Sequence, residues 1–335
     1  MQLTVLYPEA MYPDDRVERE VFGPDVQIVR RDTRALAELS DQDCADADGL
    51  MVFRHFAPEA ELARFSRLRA IVRMGVGYDR LDRAYAARRG ILICNVPDYG
   101  TTEVADHSIA MALALRRGLL LHHAAQRAAP PAAWEVIEHA MIRRLDRLRF
   151  GIIGMGRIGT AVALRARALG QRVICYDPFQ PNGVERALGI ERVGSLPELL
   201  AQADTLSLHA PLTRQTRGMI GAAELALLPA GAVVVNTARG PLLDIDALLA
   251  ALRSGHIAAA GLDVLPDEPP KDPAPELLRL YRAREPWLEG RLIITPHSAF
   301  HTPEAWEDIR RKSAETMRAA LLSNRPQNLI TPEMD

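Results

Sequence analysis

Arg239, Glu268 and His297 each stand at or just beyond the end of a short apolar run. A histidine exchanges protons near neutral pH, because its ordinary pKa is about 6.5, and a neighbouring carboxylate favours its charged form. An arginine offers a planar fork that matches a carboxylate and the carbonyl oxygen beside it. Each has an ordinary structural use when taken singly: a histidine after a strand, an arginine at a helix end, a glutamate in the proline-rich stretch Leu-Pro-Asp-Glu268-Pro-Pro. Placed together at the carboxyl edge of one parallel sheet, they form a set that orients a 2-oxoacid, polarises its carbonyl and supplies a proton.

The element that places them there is the stretch beginning at Arg149. Phe150, Ile152 and Ile153 form the apolar run of a strand buried on both faces, and Gly154, Gly156 and Gly159 follow with Gly-x-Gly-x-x-Gly spacing. The first glycine allows a tight turn, the second lets backbone approach a pyrophosphate, and the third lets a helix pack against the strand. That helix points free amides and its positive end at the phosphates. Ile158, Val162, Ala166 and Leu169 fall on one face of it, with Gly170 expected as a left-handed cap. A second strand, 173–176, ends at Asp177, about 20 residues beyond the glycines, where a carboxylate accepts from ribose hydroxyls and repels a 2′-phosphate. NAD(H) is therefore expected over NADP(H).

Composition bounds the remainder. A chain of 335 residues suggests two domains, and 48% hydrophobic with 25% charged residues is globular. A net charge of −2 argues against nucleic acid or an anionic membrane as a partner. Lys271 and Lys312 are the only lysines, which excludes a Gly-Lys-Ser/Thr phosphate loop. Cys44, Cys94 and Cys175 are too widely spaced for a metal set and read as buried thiols; no metal site is expected. The start lacks a signal-peptide pattern and no segment has the length of a membrane span, so a cytoplasmic protein is expected.

Apolar runs at 3–6, 26–29, 50–53, 70–73 and 91–94 alternate with helical stretches, and runs at 205–209, 232–236 and 292–295 repeat the rhythm. The acidic run Asp41, Asp43, Asp46, Asp48 reads as a solvated helix end. Val76 and Gly77, in Arg73-Met-Gly-Val-Gly-Tyr-Asp, lie in a loop whose glycines free backbone amides for a small anion. A long helix is expected from Thr101 or Thr102 to Pro130, with Val104, Met111, Leu115 and Leu119 on its buried face. His122 and His123 point different ways on it and are poor joint ligands. Ser195-Leu-Pro-Glu198 has the form of a capping box. Thr302-Pro303-Glu304 opens a last helix with Trp306, Ile309, Met317 and Leu321 buried, expected to return to the first domain.

Taken together, Ile71-Val-Arg-Met-Gly-Val-Gly-Tyr-Asp, Gly151-Ile-Ile-Gly-Met-Gly-Arg-Ile-Gly, Val235-Asn-Thr-Ala-Arg-Gly, Leu262-Asp-Val with Glu268-Pro, and Thr295-Pro-His resemble the D-isomer-specific 2-hydroxyacid dehydrogenases over nearly the whole length. Tyr176-Asp-Pro-Phe, Gly183-Val-Glu-Arg-Ala-Leu-Gly and Ile93-Cys-Asn-Val-Pro are most similar to the C-terminal binding protein branch. The resemblance implies an α/β architecture: a doubly wound Rossmann-type NAD domain (101–299) and a smaller flavodoxin-like substrate domain made from both chain ends (1–100 and 300–335), assembled as a homodimer through the NAD domains. It implies Arg239 as substrate clamp, Glu268 as the group tuning the histidine, and His297 as proton donor. It implies cofactor contacts at Val76, Gly154, Gly156, Arg157, Ile158, Gly159, Asp177, His209, Ala210, Pro211, Thr216, Thr237, Ala238 and Asp263, the last toward the nicotinamide carboxamide. Substrate contacts are implied at Arg54, Arg73, Val76, Gly77, Arg239, His297 and Phe300.

Departures from that branch bear on substrate. Ser298-Ala299-Phe300 replaces its Ala-Ala-Trp, His301 a tyrosine, Val76 a serine and Val104 a threonine. The missing tryptophan contacts methylthio-oxobutyrate in the branch, which argues against that substrate, and the surroundings of Arg73, Val76 and Phe300 suggest a moderately apolar side chain. The segment 269–291 looks longer than in those relatives and reads as a cover or a dimer element, with a short helix over 276–284. Two functions follow: an NAD-dependent enzyme interconverting a 2-oxoacid and its D-2-hydroxyacid, or an NAD(H)-regulated dimeric binding module with little turnover.

Overall fold

The structure is a computed structural model that describes residues 2–323 and 325–332. Residues 333–335 of the expected terminal segment lie outside it. In chain order the elements are β1 (Leu3–Tyr7), α1 (Arg16–Phe22), β2 (Val26–Arg30), α2 (Asp41–Asp46), β3 (Gly49–Val52), α3 (Glu59–Leu62), β4 (Ala70–Arg73), α4 (Arg83–Arg88) and β5 (Leu92–Asn95). There follow α5 (Thr101–Arg116), α6 (Leu119–Arg127), β6 (Arg149–Ile153), α7 (Arg157–Ala168), β7 (Arg172–Tyr176), α8 (Val184–Leu188), β8 (Glu191–Arg192), α9 (Leu196–Leu200) and β9 (Thr205–Leu208). The chain continues through α10 (Ala222–Leu227), β10 (Ala232–Asn236), α11 (Ile245–Arg253), β11 (Ile257–Leu262), α12 (Glu276–Arg282), β12 (Leu292–Ile294) and α13 (Pro303–Leu321). Contacts divide it into two compact units, residues 2–100 with the described chain from His301 on, and Thr101–Phe300.

The first unit holds a parallel sheet in the order β2-β1-β3-β4-β5, the flavodoxin-like order. Every residue of β3 is buried, as expected for a strand covered on both faces. The cover on one face is α13. Gly49 makes the close approach possible, because a Cβ there would stand 2.8 Å from Met317 Sδ and 2.9 Å from Leu321 Cδ1. Thr302 caps α13 by accepting from the Ala305 amide at 3.0 Å, with Pro303 in the first turn. Ile309, Met317 and Leu321 are buried as expected; Trp306 is half-buried, with Tyr12, Phe53 and His301 around its ring. Arg310 joins α13 to α1 through a fork on Glu18, at 2.7 and 2.6 Å.

The acidic run is corrected at its end. Asp41, Asp43 and Asp46 belong to α2, capped by Ser40, but Asp48 is only 4% exposed. Its carboxylate accepts from the Thr4 amide at 2.9 Å and pairs with Arg67 at 3.1 Å, so it fixes the approach to β3 instead of facing water.

The second unit holds a parallel sheet ordered β12-β11-β10-β9-β6-β7-β8. From β6 the chain moves outward through β7 and β8, then returns to β9 on the other side. The reversal between β6 and β9 opens a crevice at the carboxyl ends of the strands, where open α/β sheets bind ligands. Helix α5 covers β10 and β11, and Met111 Sδ lies 3.0 Å from where a Gly261 Cβ would sit. Its last residue, Arg116, is 1% exposed and donates to Thr205 Oγ1 at 3.0 Å, to the carbonyls of Gly231 at 3.1 Å and Met141 at 3.3 Å, and to that of Asp204. Burial pulls this guanidinium down to about 10, and it stays charged at neutral pH. One end of α5 is thereby pinned to the amino edge of the sheet.

Several element expectations are revised here. The long helix is two, because Gly118 takes a left-handed φ of 60° between α5 and α6. Leu119 is consequently 58% exposed and off the buried stripe, and Val104 is half-buried. Leu169 is 43% exposed, since α7 ends one residue earlier; Gly170 has the expected positive φ of 77°. Ser195 caps α9, but Glu198 turns back to the Gly194 amide instead of to Ser195, so the capping box is incomplete. In 269–291, Leu277, Leu278 and Leu288 are buried, and Leu277 and Leu288 join the core cluster that contains Leu248 and Leu252. The apolar content of that segment is thus core of its own unit. Cys44, Cys94 and Cys175 are free and buried.

Candidate functional site

His297 follows β12, Glu268 lies in the loop after β11, and Arg239 lies in the loop after β10, all at one edge of the second sheet. The His297 Nδ1 and Glu268 Oε2 are 2.6 Å apart, while Glu268 Oε1 accepts from the Leu265 amide at 3.0 Å. Burial pushes the Glu268 carboxyl up. The His297 bond and charge, the Leu265 amide and the Arg239 charge together outweigh it and hold the group below its ordinary value. Glu268 is then an ionised acceptor, Nδ1 carries the donated proton, and Nε2 is the nitrogen left for chemistry. Phe300 sets its ring edge-on to His297, with centroids 6.5 Å apart.

The turn carrying His297 is strained. His297 has a φ of 53°, which costs a residue with a side chain roughly 1–3 kcal/mol. Asp263 holds it there: its carbonyl accepts from the His297 amide at 2.7 Å, Oδ1 from Ser298 at 2.8 Å, and Oδ2 from Ala299 at 3.0 Å. Asp263 is 1% exposed, and Thr295 Oγ1 also donates to its Oδ1 at 2.5 Å. The sequence marked Asp263 for the nicotinamide; these bonds to the backbone of the histidine turn were not foreseen.

The glycine loop fits a dinucleotide. Gly154 takes a φ of 90°, and a Cβ there would meet the Ala210 amide and the His209 carbonyl carbon at 2.7 Å. A Cβ on Gly159 would lie 2.0 Å from the Gly154 carbonyl oxygen, so only glycine lets α7 start this close to β6. Gly156 faces open space, and Gly156 and Arg157 are exposed, with Ile158 half-buried behind them. The first turn of α7 thus presents unobstructed amides to an anion. Asp177 follows β7, accepting from the Met155 amide at 2.7 Å and from the Phe179 amide at 2.9 Å, which ties its carboxylate to the loop.

The other second-unit positions expected to meet the cofactor follow β9 and β10 at the same edge. His209 follows β9, bonded to Ser207 Oγ at 2.8 Å, and burial pushes its imidazole down to about 3, so it is neutral. Ala210 is buried and Pro211 exposed; the Thr216 hydroxyl donates back to the Pro211 carbonyl at 2.6 Å. Thr237 Oγ1 bonds Ser108 Oγ at 2.7 Å, and the Ala238 amide donates to Asn236 Oδ1 at 3.0 Å, shaping the loop that carries Arg239.

In the first unit, Arg73, Val76 and Gly77 occupy the end of β4 and its loop. Asn95 Nδ2 donates to the Val76 carbonyl at 2.6 Å, and the Arg73 guanidinium bonds the Met74 carbonyl at 2.9 Å. The Phe53 ring lies under Arg54 at 5.3 Å and Arg73 at 5.6 Å. Glu9, absent from the sequence reading, sets the Arg54 loop by accepting from both the Phe53 and Arg54 amides. His122 is a structural residue: Nδ1 meets the Gly118 carbonyl and Nε2 accepts from Ile137. Among the described residues there is no cluster able to hold a metal, and no helix is long and apolar enough to cross a membrane.

Residues 109–299 match the family model described as D-isomer specific 2-hydroxyacid dehydrogenase, NAD binding domain, and the chain belongs to this family. It is 36% identical, over 97% of its length, to a D-3-phosphoglycerate dehydrogenase of Methanocaldococcus jannaschii, and 33% identical, over 94%, to C-terminal-binding protein 1 of Caenorhabditis elegans. It spans only 59% and 43% of those two relatives. The crystal structure of D-lactate dehydrogenase from Aquifex aeolicus, complexed with NAD and lactic acid, superimposes with a TM-score of 0.81 at 28% identity, covering 98% of both chains.

Proposed function

We propose that the chain interconverts a 2-oxoacid and its D-2-hydroxyacid with NAD(H) as redox partner. The observation that carries this is the His297 Nδ1 to Glu268 bond at 2.6 Å, at the sheet edge that also bears Arg239 and the glycine loop. NADH, when bound, supplies the hydride that adds to the carbonyl carbon. Arg239 clamps the substrate carboxylate and draws charge toward the carbonyl oxygen. His297 Nε2 gives its proton to that oxygen, and Glu268 supports the imidazolium until then. In the oxidative direction His297 takes the hydroxyl proton back.

Gly154, Gly156 and Gly159 with Arg157 and Ile158 cradle the pyrophosphate, and Asp177 favours NAD(H) over NADP(H). His209 to Pro211, Thr216, Thr237, Ala238 and Asp263 line the rest of the cofactor. Phe300, beside His297, limits the substrate side chain; Arg54, Arg73, Val76 and Gly77 are proposed as first-unit substrate contacts. The reading includes a homodimer. In the second unit a cavity of about 890 Å³ is lined by Leu120, Leu121, Ala124, Tyr281, Leu288 and Leu292, while Trp134 is 92% and Val136 85% exposed on the segment after α6. A second copy exchanging its Trp134 segment for this one's covers both at once. Buried free thiols accord with a cytoplasmic location.

The test is NADH oxidation with glyoxylate, pyruvate, 2-oxobutyrate, phenylpyruvate and 2-oxoglutarate. Turnover is expected with at least one, and His297→Ala should lower it by about 10²- to 10⁴-fold while leaving NADH binding measurable by calorimetry. No NADH uptake, or full turnover by the variant, overturns the reading.

A further inference from the structure

Helix α5 reaches the carboxyl edge of its sheet with two consecutive side chains. His107 Nε2 lies 3.1 Å from Thr295 Oγ1 and 3.9 Å from Asp263 Oδ1. Thr295 Oγ1 in turn lies 2.5 Å from Asp263 Oδ1, and the Asp263 carboxylate receives backbone amides from Ser298 and Ala299. A carboxylate with amides donating into both oxygens only accepts, so the single Thr295 proton points at Asp263. The Thr295 oxygen therefore has lone pairs alone to offer His107, and His107 must donate through Nε2. Ser108 repeats the arrangement on the neighbouring strand. Its hydroxyl donates to the Val104 carbonyl at 2.8 Å, so it accepts from Thr237, at the root of the Arg239 loop.

We propose that His107 is a positioning residue of the dehydrogenase site, acting through Thr295 and Asp263 to hold the strained turn that presents His297. The proposal rests on the dehydrogenase reading for its kinetic consequence but not for its structural one. His297 sits at a positive φ with its own amide and the two that follow it all bonded to Asp263. Asp263 receives the Thr295 proton, and the Thr295 oxygen is held in place by the bond from His107. Ser108 sets the Arg239 loop from the same helix, and Arg116 anchors the other end of α5. The helix thus fixes where both polar groups stand.

His107→Leu keeps bulk and removes the donor; His107→Gln restores a donor at the reach of Nε2. Hydrogen exchange on the unliganded protein is expected to quicken about tenfold at the Ser298 and Ala299 amides in the leucine variant, with the rest of the chain unchanged. With NADH and the best oxoacid of the panel, kcat should fall about tenfold while KM and the NADH Kd move less than about threefold. The glutamine variant should recover most of both losses. Wild-type exchange and turnover in His107→Leu, a loosening spread over the whole chain with a lowered Tm, or a glutamine variant no better than leucine would each overturn the proposal. A chain that oxidises no NADH removes the dehydrogenase reading, while the exchange measurement still decides this one.

Discussion

Glu268 serves His297 in two ways: it keeps the ring oriented and, ionised, selects which nitrogen is free. Its carboxyl lies below the ordinary value, so this service is complete above the usual glutamate pKa of about 4.3 and is lost as pH falls through the depressed value. Glu268→Gln should keep NADH binding and lower kcat by about 10²-fold, because the imidazolium loses its counter-charge. An unchanged kcat would show that Glu268 only packs. At this scale the meeting of Glu268 and His297 could be read from the sequence, since a carboxylate and an imidazole at neighbouring strand ends are types that pair. The bonds around Asp263 could not, because they run to backbone amides, and His107 could not, because Thr295 is 188 residues away. Arg54, just after β3, and Arg73, the last residue of β4, both stack on Phe53, a shared contact that residue type alone does not reveal.

The glycine loop separates two demands on one element. Gly159→Ala forces a Cβ into the Gly154 carbonyl and should destabilise the unit by about 1–3 kcal/mol, read as a lowered Tm. Gly156→Ala meets open space, so Tm should hold while, on the proposed reading, the NADH Kd weakens by about tenfold or more, because the added methyl would stand in the path of the pyrophosphate. Equal effects from both would count against a phosphate cradle. Strands were legible because buried parallel strands are unbroken apolar runs: 70–73 and 232–236 coincide with β4 and β10. The break between α5 and α6 was not, since a lone glycine is tolerated inside helices and only the folded context puts Gly118 in the left-handed region. Leu119, apolar and in register with the stripe, then turns outward.

For the molecule as a whole, the alternation of strand and helix foretold an α/β chain and the family resemblance its doubly wound sheets, while the place of 269–291 depended on long-range packing against α11 that periodicity does not encode. Trp134 offers a test of assembly. If the 119–136 surface joins two copies, Trp134→Asp should convert a dimer to a monomer in sedimentation, with the second unit still folded by circular dichroism. An unaltered sedimentation coefficient would exclude this surface as the interface.

The helix α13 that covers Gly49 is separated from β3 in sequence by the whole of the second unit, and this imposes an order on biosynthesis. As the nascent polypeptide leaves the ribosome, Thr101–Phe300 is contiguous and can close on itself, whereas β1 to β5 must wait for a helix translated after it. Until then the bare valine, leucine and isoleucine surface of the earliest strands is the stretch on which a chaperone would act.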